Sequence, residues 1–131
     1  MILVDSSVWI DYFNGNKTSQ TDWLDSSLGN TPIIIGDLIL TEVLQGFQND
    51  KDFKIARDLL LGVLFMTMGG QTLALESAMN YRSLRKKGVT VRKTIDIIIG
   101  TFCIHNQLIL LHCDRDFDPM VKFLGLEIID I

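Results

Sequence analysis

The strongest constraint on this chain is a recurring edge, where a short unbroken apolar run stops dead at an acid or a glycine. Ile2-Leu3-Val4 stops at Asp5, Ile33-Ile34-Ile35 stops at Gly36-Asp37, and Leu108-Ile109-Leu110-Leu111 runs out toward Asp114. A strand with one wet face alternates polar and apolar residues, so runs like these predict strands buried on both faces. Amphipathic stretches follow. Val8 to Phe13 closes at Asn14-Gly15-Asn16, with Ser6 or Ser7 as its expected cap. Asp37 is the expected cap of Leu38 to Leu44, a helix ending near Gly46.

The same alternation continues along the chain. Helices are predicted from Thr21 to Leu28, from Asp50 through Leu60, and over Gln71 to Lys87 with Gly88 as its stop. Leu64 to Met68 precedes Gly69-Gly70 and reads as a short strand. Ile95 to Ile104 is too long for one strand and is predicted as a buried helix capped by Thr94. Asp118-Pro119 opens a last short helix, and Leu126 to Ile129 is predicted as a final strand. The expectation is an α/β fold: one domain over residues 1–131, with a mostly parallel sheet of four to five strands flanked by helices on both faces.

Composition excludes several classes. No apolar run approaches the ~20 residues of a membrane span, and the N-terminus lacks a basic segment before a cleavable apolar one. A soluble cytoplasmic protein is expected. Cys103 and Cys113 match no metal-ligand spacing and are expected as reduced core residues, and His105 and His112 as core histidines rather than ligands. The net charge of −4 does not advertise nucleic-acid binding, but its distribution is uneven: six of the twelve Lys/Arg residues fall between Arg82 and Lys93, a span without an acid.

Four acids stand in awkward places. Asp5 and Asp114 follow buried strands, and functional sites of open α/β sheets lie just beyond the carboxyl ends of strands. Glu42 sits in a helix that is apolar nearly all round, and Asp96 shares its helix face with Ile99, Gly100 and Cys103. Each has an ordinary alternative: a cap for Asp5, a surface lysine partner for Glu42, a first-turn dipole for Asp96, a turn for Asp114. Asp116 and Asp118 are expected to hold the loop and cap the last helix. If the four converge, each close pair repels by roughly 4 kcal/mol at an effective dielectric of 20. A fold tolerates that with a cation at the centre or with some acids protonated. Oxygen-only donors select hard divalent ions, Mg²⁺ or Mn²⁺, over zinc.

The ordered series Asp5-Ser6-Ser7, Glu42 with Gly46, Thr90-Val91-Arg92 leading to Asp96-Ile97-Ile98-Ile99, and Cys113-Asp114-Arg115-Asp116-Phe117 resembles the PIN-domain ribonucleases, above all the VapC toxins of bacterial toxin–antitoxin pairs. The resemblance runs the length of the chain and implies a Mg²⁺- or Mn²⁺-dependent endoribonuclease. It implies Asp5 and Asp96 as principal metal ligands, with Asp114 completing the acidic pocket. Glu42 would bind metal through water or orient the attacking water, and Ser7 would help hold a ligand water. It also implies a homodimer and an antitoxin whose C-terminal segment fills the active site. Gly100 departs from the family's usual Ala and is expected to loosen packing slightly. Arg82, Arg85 and Lys86, at i, i+3 and i+4 on one helix face, and Arg92, just before Asp96, are candidate contacts for RNA phosphates; the alternative is that they complement a helix C-terminus. A PIN-like nuclease that is not a toxin fits the same residues. A receiver-type phosphoacceptor domain fits poorly, because serines follow Asp5 and Leu64–Met68 ends in Gly-Gly.

Overall fold

The computed structural model describes residues 1–131. Its elements are β1 (Ile2–Val4), α1 (Ser6–Phe13), α2 (Ser19–Ser27), β2 (Ile33–Gly36), α3 (Asp37–Gln45), α4 (Asp50–Leu61), β3 (Leu64–Met66), α5 (Gln71–Lys86), α6 (Thr94–Asn106), β4 (Ile109–Leu111) and α7 (Asp118–Leu124). A single 3-10 turn, Arg115–Phe117, links β4 to α7. The four strands form one parallel sheet in the order β3-β2-β1-β4. Helices α1 to α4 pack among themselves, and α5 packs with α6 and α7.

Strand order explains where a site must form. The chain steps from β1 to β2 to β3 in one direction, then returns to place β4 on the other side of β1. The order reverses at β1, so the helices after β1 and β4 diverge there and leave a crevice at their carboxyl ends. Leu3 pairs with Leu110 and Val4 with Leu111, so Asp5 and the loop after Leu111 leave the sheet side by side.

The apolar runs behave as their lack of alternation requires. Ile2, Leu3, Val4, Ile33, Ile34 and Ile35 are all buried, within a core cluster of 26 residues that includes Trp9, Phe102 and Phe117. The edge strand β3 differs, with Leu64 and Phe65 exposed. The chain just beyond it is latched by Asp37, whose Oδ1 accepts from Leu38 N at 3.0 Å and Met68 N at 2.9 Å. Asp37 is thus the first residue of α3 and a clamp, while Gly36 occupies the cap position.

Five local expectations change. Asp5, and neither serine, caps α1. The predicted strand over Leu126 to Ile129 contributes one parallel bridge, Ile128 to Leu110. Gly100 does not loosen the packing: a Cβ built there would lie 2.2 Å from Met120 Sδ, so a methionine of α7 already fills the space an alanine methyl would take. Cys103 is buried as expected, whereas Cys113, two residues beyond the end of β4, lies exposed and donates to Asp11 Oδ2 at 3.7 Å. His105 is likewise on the surface, 2.9 Å from Glu76.

Candidate metal centre

Asp5 follows the last residue of β1 and must serve the helix that comes next. Its Oδ2 accepts from Ser7 N at 3.2 Å and, in a short bond, from Ser7 Oγ. That satisfies one carboxylate oxygen only. Oδ1 is buried and has no hydrogen-bond partner. The residue is 3% exposed. Burial raises its pKa above the ordinary carboxylate value; the Ser7 bonds oppose the rise and the charge of Glu42 adds to it.

Asp96 comes from the other half of the fold. The acid-free loop ending at Lys93 delivers it to the first turn of α6, where the helix dipole favours a negative charge. Even so, burial raises its pKa to about 7, with further contributions from Asp5 and Asp114 and a small opposing one from Lys93. Asp96 is 6% exposed, and its Oδ2 also lacks a partner.

Asp114 leaves β4 and caps the 3-10 turn, its Oδ1 accepting from Asp116 N at 2.9 Å. The tight turn swings Asp116 back beside it. Asp96, Asp114 and Asp116 each place a carboxylate oxygen within 4.8 Å of the others. Asp5 lies outside that set, yet its charge acts on Asp96. Half-buried Glu42 is tied down by Ser6, whose Oγ donates to Glu42 Oε1 at 2.8 Å across the α1–α3 contact. The four acids picked out in the sequence therefore form one electrostatically connected group.

Two placements differ from expectation. Asp116, assigned to holding the loop, stands among the acids; the D-x-D spacing of Asp114-Arg115-Asp116 was the available signal. Arg92 is bound to Asp116, its Nη2 lying 3.1 Å from Oδ1 and 3.2 Å from Oδ2, with the Arg92 side chain 76% exposed. Arg82, Arg85 and Lys86 lie exposed toward the end of α5, away from any carboxylate partner. Ser7 is committed to Asp5. His112 accepts from Asp114 N at 3.1 Å and packs on Phe117, so it braces the loop.

An all-oxygen donor set, three carboxylate oxygens within 4.8 Å and two buried oxygens without partners fit a hard divalent cation. No helix is long and apolar enough to cross a membrane.

The chain is 26% identical over 129 residues to ribonuclease VapC11 of Mycobacterium tuberculosis, spanning 97% of this chain and 96% of that protein. The fold matches VapBC2 from Rickettsia felis bound to a DNA fragment from its promoter, with a TM-score of 0.77 and 16% identity, over 100% of this chain and 99% of that one. It also matches a toxin–antitoxin complex from Klebsiella pneumoniae, with a TM-score of 0.72 and 17% identity, over 99% and 97% of the two chains. A PIN domain profile matches residues 2–122, and the chain belongs to the PIN domain family.

Proposed function

We propose that residues 1–131 act as one PIN domain, a divalent-metal-dependent endoribonuclease of the toxin kind that hydrolyses RNA phosphodiester bonds. One observation carries the reading: Asp5 Oδ1 and Asp96 Oδ2 are buried and unpaired at the same end of one sheet. Buried polar atoms in folded proteins nearly always find a donor, and an uncompensated buried charge costs several kcal/mol. Two such oxygens beside a cluster of further acids fit a cation as their missing partner. Likeness to VapC11 supplies the RNA substrate.

Asp5, Asp96 and Asp114 are the ligands, joined by Asp116, and Mg²⁺ or Mn²⁺ suits their oxygens. When bound, the ion supplies neutralising charge for a phosphate in displacement and lowers the pKa of a water. The chain's own residues do the rest. Ser7 takes up Asp5 Oδ2 and leaves Oδ1 for the ion. Glu42, fixed by Ser6, orients the attacking water. Arg92 exchanges Asp116 for a substrate phosphate, and Arg82, Arg85 and Lys86 receive phosphates farther along the strand. Likeness to VapBC2 and to the Klebsiella complex extends the reading to a cognate antitoxin as partner; a homodimer and a cytoplasmic setting belong to the same reading through the family resemblance alone.

Purified protein incubated with structured RNA should cleave it in Mg²⁺ or Mn²⁺ and stop in EDTA. The same ions should raise its melting temperature. Cleavage that continues unchanged in EDTA overturns the mechanism.

A further inference from the structure

The functional residues leave one surface of mixed character unexplained, at the meeting of α5 and α7. Phe123 is 39% exposed at the end of α7. Two ammonium groups cover its ring: Lys87 Nζ lies 5.5 Å from the centroid and Lys122 Nζ 5.1 Å. Beside them on α5, Arg85 lies 5.7 Å over Tyr81. None of Arg82, Arg85, Lys86, Lys87 and Lys122 has a carboxylate within 4.0 Å. The contributing segments, residues 77–95 and 119–126, contain no acid, in a chain that carries 16 acids. Cations at two helix C-termini are explained by the dipoles. An exposed phenylalanine between them is not.

The patch is held near the acids by packing. Asn80 donates to Thr101 Oγ1 at 3.0 Å and Glu76 meets His105, so α5 and α6 run antiparallel. The basic end of α5 therefore lies beside the first turn of α6, which carries Asp96. Met120 occupies the space at Gly100, about 6 Å along α6 from Asp96, and Lys122 and Phe123 follow within one turn of Met120. The patch and Asp96 are thus carried by elements packed on the same helix, α6, and a polyanion entering the acidic pocket has this surface in its neighbourhood.

We propose that Phe123, flanked by Lys87 and Lys122, is a stacking platform for a base of single-stranded RNA next to the cleavage site; the proposal takes its substrate from the ribonuclease reading above. The magnitudes favour exchange. An exposed cation–π contact is worth roughly two- to fivefold in an equilibrium constant, whereas base–aromatic stacking is worth roughly five- to hundredfold per base. A base displaces an ammonium from the ring, and the freed ammonium takes the adjacent phosphate. Stacking accepts any base, so the platform adds affinity without fixing the sequence.

The test uses the full chain in EDTA, so that bound RNA stays whole. Fluorescence anisotropy follows binding of a labelled oligo(U) of about twelve nucleotides, within the span of single-strand sites. Phe123→Leu should bind roughly tenfold more weakly with an unchanged salt slope. Phe123→Trp should retain affinity, with its fluorescence quenched by the stacked base. Lys87→Gln and Lys122→Gln should each lower the log K against log[salt] slope by roughly 0.7. In Mg²⁺, Phe123→Leu should raise KM for a long RNA and leave kcat unchanged. Phe123→Leu binding like wild type, lysine variants with unaltered slopes, or no binding by wild type would each overturn the platform. Wild type that binds through Phe123 but cleaves nothing in Mg²⁺ or Mn²⁺ defeats the ribonuclease reading and leaves the platform standing.

Discussion

Replacing Asp96 with Asn keeps the side chain's shape and removes one charge from the acidic group. In the folded protein its carboxyl titrates near 7, raised from 3.8 by burial and by Asp5 and Asp114. The native state therefore holds a proton that the unfolded chain has already released. Stability falls wherever the native state binds more protons, here as pH rises from about 4 to about 7, and the full penalty stands above 7. At about 1.4 kcal/mol per pH unit the rise is worth about 4 kcal/mol at most. Water reaching half-buried Asp114 and Asp116 screens the repulsion, which leaves about 1–3 kcal/mol. Asp96→Asn should thus stabilise the metal-free protein by that amount at pH 8 and by little at pH 4. For a chain of this size that is roughly 4–12 °C in melting temperature. With Mg²⁺ at a hundredfold over its Kd, wild type should gain about 2.7 kcal/mol and the variant much less. Thermal unfolding of both proteins from pH 4 to 8, in EDTA and in Mg²⁺, gives all three comparisons. A variant less stable than wild type in EDTA at pH 8 would show that the Asp96 charge is not a burden on the fold and leave Asp96 an ordinary helix-start residue.

Gly100→Ala should destabilise the fold by about 1–2 kcal/mol, because a clash with Met120 Sδ at 2.2 Å outweighs the roughly 1 kcal/mol gained in helix propensity. Trimming Met120 to Ala in the same chain should make the pair less costly than the sum of the two changes, read from denaturant midpoints; additivity would contradict the account. Arg92→Ala should tighten Mn²⁺ binding, since a competing cation leaves Asp116, and should lower the RNA-binding salt slope by roughly 0.7. Calorimetry and anisotropy measure the two, and an unchanged slope would return Arg92 to a structural role. Ser6→Ala leaves Glu42 Oε1 without its donor; kcat should fall while stability changes by about 1 kcal/mol or less. An unaffected kcat would remove Glu42 from the reaction.

The fold was legible because its strands are buried on both faces, which writes continuous apolar runs into the sequence. Where burial is partial the signal fades: β3 has two exposed residues of three, and Ile128 contributes one bridge where four residues suggested a strand. Caps shifted by a residue because Asp5, Ser6 and Ser7 are all competent, and only backbone geometry selects Asp5. Asp5, Asp96 and Asp114 stood out because strand ends and an apolar helix face are unusual places for a charge. Asp116 did not, since a loop acid is ordinary until a 3-10 turn swings it back. The Arg92–Asp116 pair and the Phe123 platform join residues 24 and 36 positions apart, and only packing brings such partners together.

Metal occupancy and RNA cleavage, followed in the same samples, show whether the acidic group works through a bound ion. Mn²⁺ would be titrated into wild type and Asp96→Asn, with bound ion read by electron paramagnetic resonance and cleavage sampled at each point. Wild-type cleavage should rise in proportion to bound Mn²⁺, and the variant should bind the ion weakly and cleave little at any concentration reached. Cleavage by wild type before any ion is bound, or full activity in Asp96→Asn, would show that the acidic group does not work through a bound ion.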